Sequence, residues 1–155
     1  MRWNGLFDDL EAHWADLGWQ ETVAEAAELT RAEWMALSLA DRLRGARGRQ
    51  VRLHLAWGEV VDGVVHTVGQ GWVGVHVDGS GSAIVAVDCV AAVEADLTRA
   101  AVAPELAAAG WGTVLRGIAR TRQPVAVTGR LGAALAEGTV DRVGGDHLDI
   151  ARPPR

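Results

Sequence analysis

Residues 63–75 read Gly-Val-Val-His-Thr-Val-Gly-Gln-Gly-Trp-Val-Gly-Val, and residues 138–150 read Gly-Thr-Val-Asp-Arg-Val-Gly-Gly-Asp-His-Leu-Asp-Ile. The two stretches align without a gap. Their identical pairs are Gly63/Gly138, Val65/Val140, Val68/Val143 and Gly69/Gly144. In each copy the first glycine permits a sharp bend in a strand, the valines fill a core, and the second glycine turns a hairpin. We therefore predict an internal duplication; the alternative is that the two halves arrived at similar hairpin chemistry independently.

Around the first copy the apolar residues keep a period of two. From Val51 to Trp57 they alternate with Arg52, His54 and Ala56, which is typical of a half-buried strand. Glycine-rich turns separate the further predicted strands, which are Val60–Val68, Trp72–Val77, Ala83–Val87 and Val93–Ala95. Five short strands within residues 49–97 predict a small, strongly bent barrel.

Helical periodicity precedes the first β region and separates it from the second. Residues 5–17 and 21–45 are predicted to form two amphipathic helices, which together make an arm over residues 1–48. An arm of two helices cannot bury its own apolar stripe, so it must pack on the barrel or on another chain. The longer helix carries such a stripe at Val23, Ala27, Thr30, Trp34 and Leu37.

Residues 98–155 contain a connecting helix that ends near Arg122, before Pro124, and then the second β motif. The motif has room for three strands, Val125–Thr128, Ala136–Val143 and His147–Ala151. Three strands leave an open edge and an uncovered apolar face. The connecting helix, the first barrel or a second chain could supply the cover, and we favour self-association into a homo-oligomer.

The pattern Gly-x-Val-x-x-Val-Gly-x-x-Trp-Val-x-Val resembles the second and third strands of Sm-like and SH3-like small barrels. The order of acidic arm, complete motif, Arg-bearing helix and second motif resembles, over most of the chain, an uncharacterised family of actinobacterial proteins. Sm-type RNA sites use an Asn after the hairpin turn and an Arg-Gly or Lys-Gly pair at the fourth strand, where this chain has Val73 and Ser82-Ala83. The resemblance therefore does not imply a uridine pocket.

These patterns together predict a mainly β protein with helical additions (α+β). Its expected parts are a helical arm (1–48), a five-stranded SH3/Sm-like barrel (49–97), and a connecting helix with an incomplete second barrel motif (98–155).

The fifteen basic residues are all Arg, and charge is unevenly distributed. Net charge is −5 over residues 1–44, −3 over 45–97 and +3 over 98–155. The acidic residues 1–44 repel phosphate, so a nucleic-acid role requires the Arg residues of 98–155, the rear Arg residues, to share one face. The candidate partner-binding residues of this group are Arg116, Arg120, Arg122, Arg130 and Arg142. The alternative is a solvated helix face paired with acids such as Glu105 and Glu137.

Trp72 is the sixth candidate for partner binding. It follows the glycine-rich turn at the position that His147 holds in the second copy. An exposed indole there could stack on bases or anchor a protein. The alternative is that Trp72 packs against the helical arm.

Few residues here suit catalysis. His54, His66 and His76 alternate with core residues and are expected to face solvent, while the lone Cys89 offers no cysteine pair for a zinc site. Ser80 and Ser82 lie in a glycine-rich turn without a nucleophile elbow, and the chain has no glycine-rich phosphate loop. We expect no catalytic residue, no metal and no cofactor.

The longest uncharged stretches contain His and Gly and fall short of the roughly 20 apolar residues of a membrane helix, and the N-terminal residues do not resemble a signal peptide. A single cysteine fits a reducing compartment, so a cytoplasmic location is expected. The function indicated is a non-catalytic binding or scaffolding module that acts through protein contacts. The alternative is a nucleic-acid-associated regulatory protein that uses the rear Arg residues.

Overall fold

A computed structural model describes residues 23–79, 81–102 and 109–152 of the chain. The predicted helix over residues 5–17 lies outside the described residues. The chain divides into two compact units, Met1–Ser38 and Leu39–Arg155. The division falls after Ser38, and the two β regions belong to one unit.

In the first unit, residues 23–36 are helical (α1) and all of them are exposed. The expectation of one helix from 21 to 45 is wrong, because residues 37 and 38 are not helical. The amide of Leu37 donates to the Trp34 carbonyl at 3.3 Å, which is the spacing of a tight 3-10 turn. Ser38 and Asp41 have the spacing of a capping box, a sequence signal that starts a new helix.

The second unit is built mainly from strands, which confirms the predicted α+β class. Its helices are α2 (Leu39–Gly45) and α3 (Trp111–Thr121), and a 3-10 turn spans Val87–Cys89. Its strands are β1 (Gln50–Leu55), β2 (Val60–Val68), β3 (Trp72–Val77), β4 (Gly81–Ala86), β5 (Val90–Glu94), β6 (Pro124–Thr128), β7 (Ala134–Val143) and β8 (Leu148–Ala151). No helix within the described ranges is long and apolar enough to cross a membrane.

The first five strands form one antiparallel sheet in the order β4-β3-β2-β1-β5. The expectation of a closed barrel is wrong, since β4 and β5 remain the two edges of this sheet. The sheet is nevertheless strongly curled. In a flat sheet its edges would lie about 19 Å apart, whereas the short Val87–Cys89 connection lets Ala86 and Val90 be at most about 15 Å apart.

The main core lies on the inner face of this sheet. Strand β1 alternates buried and exposed residues, as its sequence pattern predicts. Helix α2 packs against β2 and β3 and contributes Leu43, which is fully buried. The largest fully buried side chains are Leu43, Val51, Leu53, Val65, Val73 and Val75.

The second sheet has the order β6-β7-β8, with strand positions close to those predicted. Helix α3 packs on β7 and covers one face of the sheet. Val140 is the buried hydrophobic residue of this region, at 3% exposure. Its flanking residues Val125, Val127, Leu148 and Ile150 are only half-buried, so α3 supplies the expected cover incompletely.

The hairpins β2–β3 and β7–β8 have the same register. Val64↔His76 and Val65↔Val75 in the first hairpin correspond to Thr139↔Ala151 and Val140↔Ile150 in the second, 75 residues later. Both hairpins have an irregularity after the second of these pairs. The helix that precedes each three-stranded meander extends the correspondence, so that α2-β1-β2-β3 matches α3-β6-β7-β8. An origin by duplication stays a prediction.

Gly63 and Gly138 occupy the same position in these hairpins. A Cβ placed on Gly63 would lie 2.2 Å from the carbonyl oxygen of His76, and one on Gly138 would lie 2.2 Å from that of Ala151. His76 and Ala151 are themselves equivalent. Each glycine is therefore required because the neighbouring strand approaches too closely for a side chain.

Candidate protein-binding surfaces

Trp72 is not an exposed anchor. Its side chain is buried at 3% exposure, and its Nε1–H donates to the carbonyl oxygen of Ala109 at 2.8 Å. The same oxygen accepts a bond from the amide of Gln70 at 3.0 Å. The expectation of a surface indole is wrong, because Trp72 and the β2–β3 turn together hold the segment that enters α3.

The turn between β6 and β7 makes a second contact with the first sheet. Arg130 in this turn pairs with Asp88 of the 3-10 turn. A Cβ on Gly132 would lie 2.6 Å from Cδ1 of Trp57, so the turn lies directly on the indole ring. Arg130 is therefore occupied within the chain.

The remaining Arg candidates are spread over different elements. Arg116 and Arg120 are exposed on α3, and the guanidinium of Arg116 folds back toward Gly112. Arg142 lies 3.9 Å from its neighbour Asp141 through Nε and Oδ2, with both side chains largely exposed. Arg122 caps α3 in a left-handed conformation (φ 51°, ψ 27°). The predicted pairing of the helix face with Glu137 does not occur among the described residues, and Glu105 lies outside them.

The outer face of the first sheet carries a network of paired charges. Arg52 donates through Nε and Nη2 to Oδ2 of Asp62 at 2.9 and 2.8 Å, and Gln50 donates to the other oxygen at 2.8 Å. The hydrogen bonds that Asp62 accepts from Gln50 and then from Arg52 lower the pKa of Asp62, and the hydrogen bonds that Arg52 donates to Asp62 raise the pKa of Arg52. Glu94 contacts both Arg52 at 3.5 Å and His54 at 2.6 Å. Charges on this face are therefore largely matched internally.

The corresponding outer face of the second sheet contains an open cleft of about 440 Å³. The row Gln50, Val64 and His76 of the first sheet is replaced here by Pro124, Thr139 and Ala151. Ala126 takes the place of Arg52. Because the residues on both edge strands are small, the surface over β7 stays open. The cleft is lined by Arg122, Pro124, Glu137, Thr139, Ala151 and Arg152.

Arg122 and Arg152 flank this cleft from its two edges, just before β6 and just after β8. Neither has an ion pair or hydrogen-bonding side-chain partner within the described part of the chain. Sequence reasoning found Arg122 but missed Arg152. A signal was present in the aligned copies, where Gln50 and His76 are matched by the small residues Pro124 and Ala151.

Helix α1 presents a second candidate surface. Four large apolar side chains on it are exposed, from Trp34 at 47% and Val23 at 51% to Leu29 at 62% and Met35 at 88%. We call these four residues the α1 apolar set. At 3.6 residues per turn, Val23 and Trp34 share one side of α1, and Leu29 and Met35 project from two other sides. Large exposed apolar side chains of this kind are candidates for burial against a partner.

The histidines and serines do not converge on a reactive site. His54 contacts Glu94, His66 contacts Thr67 at 2.8 Å, and His76 contacts its cross-strand neighbour Ser82 at 3.1 Å. Asp88 pairs with Arg130 and so does not form a triad with these residues. Ser80 lies outside the described residues. Within the described ranges, no group of three or more His, Cys, Asp or Glu side chains is arranged to hold a metal ion.

No protein-family model and no curated protein sequence matches the chain.

Proposed function

We propose that the protein is a non-catalytic binding or scaffolding module that acts through protein contacts, among them self-association. The observation that supports this most directly is the α1 apolar set. Burying the side chains of Leu29 and Met35, which are 62% and 88% exposed, is favourable by about 25 cal/mol for each Å² of apolar surface removed from solvent. Such residues are unusual as a group on an exposed helix unless a partner covers them. The lone Cys89 supports a cytoplasmic location for this module.

The α1 apolar set can be tested by charge substitution at its two most exposed members. Leu29→Glu and Met35→Glu place a carboxylate where a partner would bury an apolar side chain, while the helix itself tolerates Glu well. Light scattering over a concentration series should show a mass that rises with concentration for the wild-type chain and falls toward one chain for both variants. Ala24→Glu is the matched control, because Ala24 is exposed on α1 and is not three or four residues from any member of the set.

A mass of one chain at every concentration contradicts self-association. Proximity labelling in the native cell then tests for a partner other than a second copy of this chain. A set of labelled proteins that is the same for the wild type, Leu29→Glu and Met35→Glu contradicts the module function as well.

A second candidate, a nucleic-acid-associated regulator, is favoured by one observation. Arg116 and Arg120 are exposed on α3 and have no ion pair within the described part of the chain. Against it stand the net charge of −5 and the paired charges of the first sheet. A gel shift at ~150 mM salt separates the two candidates, because phosphate contacts are strongly screened there. Sub-micromolar binding that is lost in the Arg116→Ala, Arg120→Ala double variant would favour the regulator.

A further inference from the structure

We propose that the cleft over β7 binds an extended acidic segment of a partner protein, with Arg122 and Arg152 holding its carboxylates. The proposal rests on the proposed function and names the chemistry of a partner at a surface separate from the α1 apolar set. A cleft of about 440 Å³ lies within the range of sites that hold a small ligand or a few peptide residues. Its position on the outer face of a three-stranded sheet leaves it open to a chain that lies across the strands.

The two arginines lie just beyond the ends of the two strands that flank β7. Strands β6 and β8 flank β7, so they lie about 10 Å apart. In an extended peptide, every second side chain points to the same face, about 7 Å further along the chain. We expect the long side chains of Arg122 and Arg152 to bridge the remaining difference and to bind two acidic side chains in alternate positions. A guanidinium binds a carboxylate through two parallel hydrogen bonds, which fixes orientation as well as charge.

The backbone at Arg122 is a second, independent reason to assign its side chain a role. Arg122 is the residue other than glycine that adopts a positive φ in the described part of the chain. Glycine is the usual residue at this position after a helix, because it has no Cβ to crowd the left-handed conformation. An arginine here disfavours the local conformation that the fold requires. The long cationic side chain that it supplies lines the cleft.

The other charges of the cleft favour a peptide over a nucleic acid. Glu137 and Asp141 also line it, and Thr139 lies between them on β7. A nucleic-acid strand carries a phosphate at every nucleotide and brings some of them against these two carboxylates, whereas a peptide can confine its acidic side chains to the two arginines. A peptide supplies both hydrogen-bond acceptors and donors. Its carboxylates can bind the arginines, and its backbone amides can donate to Glu137, Thr139 and Asp141.

On the same face of the first sheet, the cationic side chain is paired within the chain. There, Arg52 and Gln50 are both bonded to Asp62, the counterpart of Glu137. The second sheet has Ala126 and Pro124 at those two positions, and its arginines lie instead at the margins of the cleft. On the first sheet these charges pair with one another. On the outer face of the second sheet the corresponding charges are left for a ligand.

The probe is a short peptide, blocked at both ends, in which two glutamates are separated by one alanine. Titrated into the full chain and followed by NMR, it should shift the amide signals of β7 and β8. Each of Arg122→Gly and Arg152→Ala should weaken binding about tenfold, which is the loss expected for one charge-assisted pair. Arg122→Gly should at the same time unfold at a higher denaturant concentration, because glycine relieves the left-handed cap. A variant that folds better and binds worse cannot owe its lost binding to misfolding.

Arg99→Ala removes one positive charge from an exposed position outside the cleft and serves as the control, with binding unchanged. The same peptide with glutamine in place of glutamate should not bind. The proposal is overturned by shifts that map elsewhere, by equal binding of the glutamine peptide, or by wild-type affinity in Arg122→Gly. It is also overturned if single-stranded DNA of equal charge shifts the same amides more strongly. None of these results depends on α1, so they leave the test of the proposed function independent.

Discussion

The two β regions contain the same hairpin and bury it to very different degrees. In the first, the valines of β2 and β3 lie in a continuous core with α2, β1 and β4, and six large side chains are fully buried. In the second, Val140 has the same register position as Val65, yet the half-exposed residues of β6 and β8 surround it. Burial therefore follows from the elements that flank a hairpin, and the first motif has β4 and β5 in addition to its helix.

The largest loss of stability should come from adding a side chain at the two glycines where neighbouring strands approach closely. Gly63→Ala and Gly138→Ala each place a Cβ against a backbone carbonyl 2.2 Å away, which neither strand can avoid without moving. Gly63→Ala should reduce the free energy of unfolding by about 3 kcal/mol. In Gly138→Ala the edge strand β8 can shift away, but the φ of 156° at Gly138 adds a backbone strain that Gly63 lacks. Both variants should be strongly destabilised in urea denaturation, and a loss below about 1 kcal/mol in either would contradict the close approach of the strands.

A direct comparison of burial comes from the equivalent valines. Val65→Ala removes two methyl groups from a closed core and should destabilise by about 2 kcal/mol, with the cavity included. Val140→Ala should cost about 1 kcal/mol, because its half-exposed neighbours can collapse into the space. Both are measured by urea denaturation of the full chain. If Val140→Ala costs as much as Val65→Ala, the second sheet is better covered than its exposure indicates.

The turn residues offer a smaller contrast. Trp72→Phe keeps an aromatic ring but removes the Nε1–H that binds the Ala109 carbonyl, so it should cost about 1 kcal/mol. His147 has the equivalent position, is exposed, and contacts its neighbour Asp146 at 2.8 Å. His147→Phe should therefore change stability by less than about 0.5 kcal/mol. Thermal unfolding followed by circular dichroism tests the pair, and a similar loss for His147→Phe would show that its turn is also occupied.

The smallest expected effect concerns acid stability of the paired outer face. The bonds from Gln50 and Arg52 lower the pKa of Asp62 below its unfolded value near 3.8. A carboxyl with a lowered folded-state pKa contributes stability above the unfolded pKa, and that contribution is lost as pH falls through the folded value. Carboxyl-carbon NMR should place the titration of Asp62 below pH 3.8, and Gln50→Ala should raise it. A titration that Gln50→Ala leaves unchanged would contradict the assigned cause.

Much of the second unit could be predicted from periodicity. Strands β2 and β3 have the predicted bounds, because alternating valines between glycine turns leave few other registers. The same holds for the match of Gly63 with Gly138, since only a glycine tolerates so close a neighbouring strand. Trp72 could not be placed in this way. Its pattern fits either a surface or a core position, and the choice depends on Ala109, which lies far from it in sequence.

The local sequence was sufficient wherever a residue's role depends on its neighbours along the chain, as in the strand alternation of β1 and the helical spacing of α3. The open edges of the first sheet, the cleft and the incomplete cover of Val140 depend on elements that meet only after folding. Which strands become neighbours decides whether an arginine is paired, as Arg130 is, or lines a cleft, as Arg152 does. The spacing of apolar residues determines which face of a strand points inward. Pairing between distant segments determines which elements pack on that face and on the edges of the sheet.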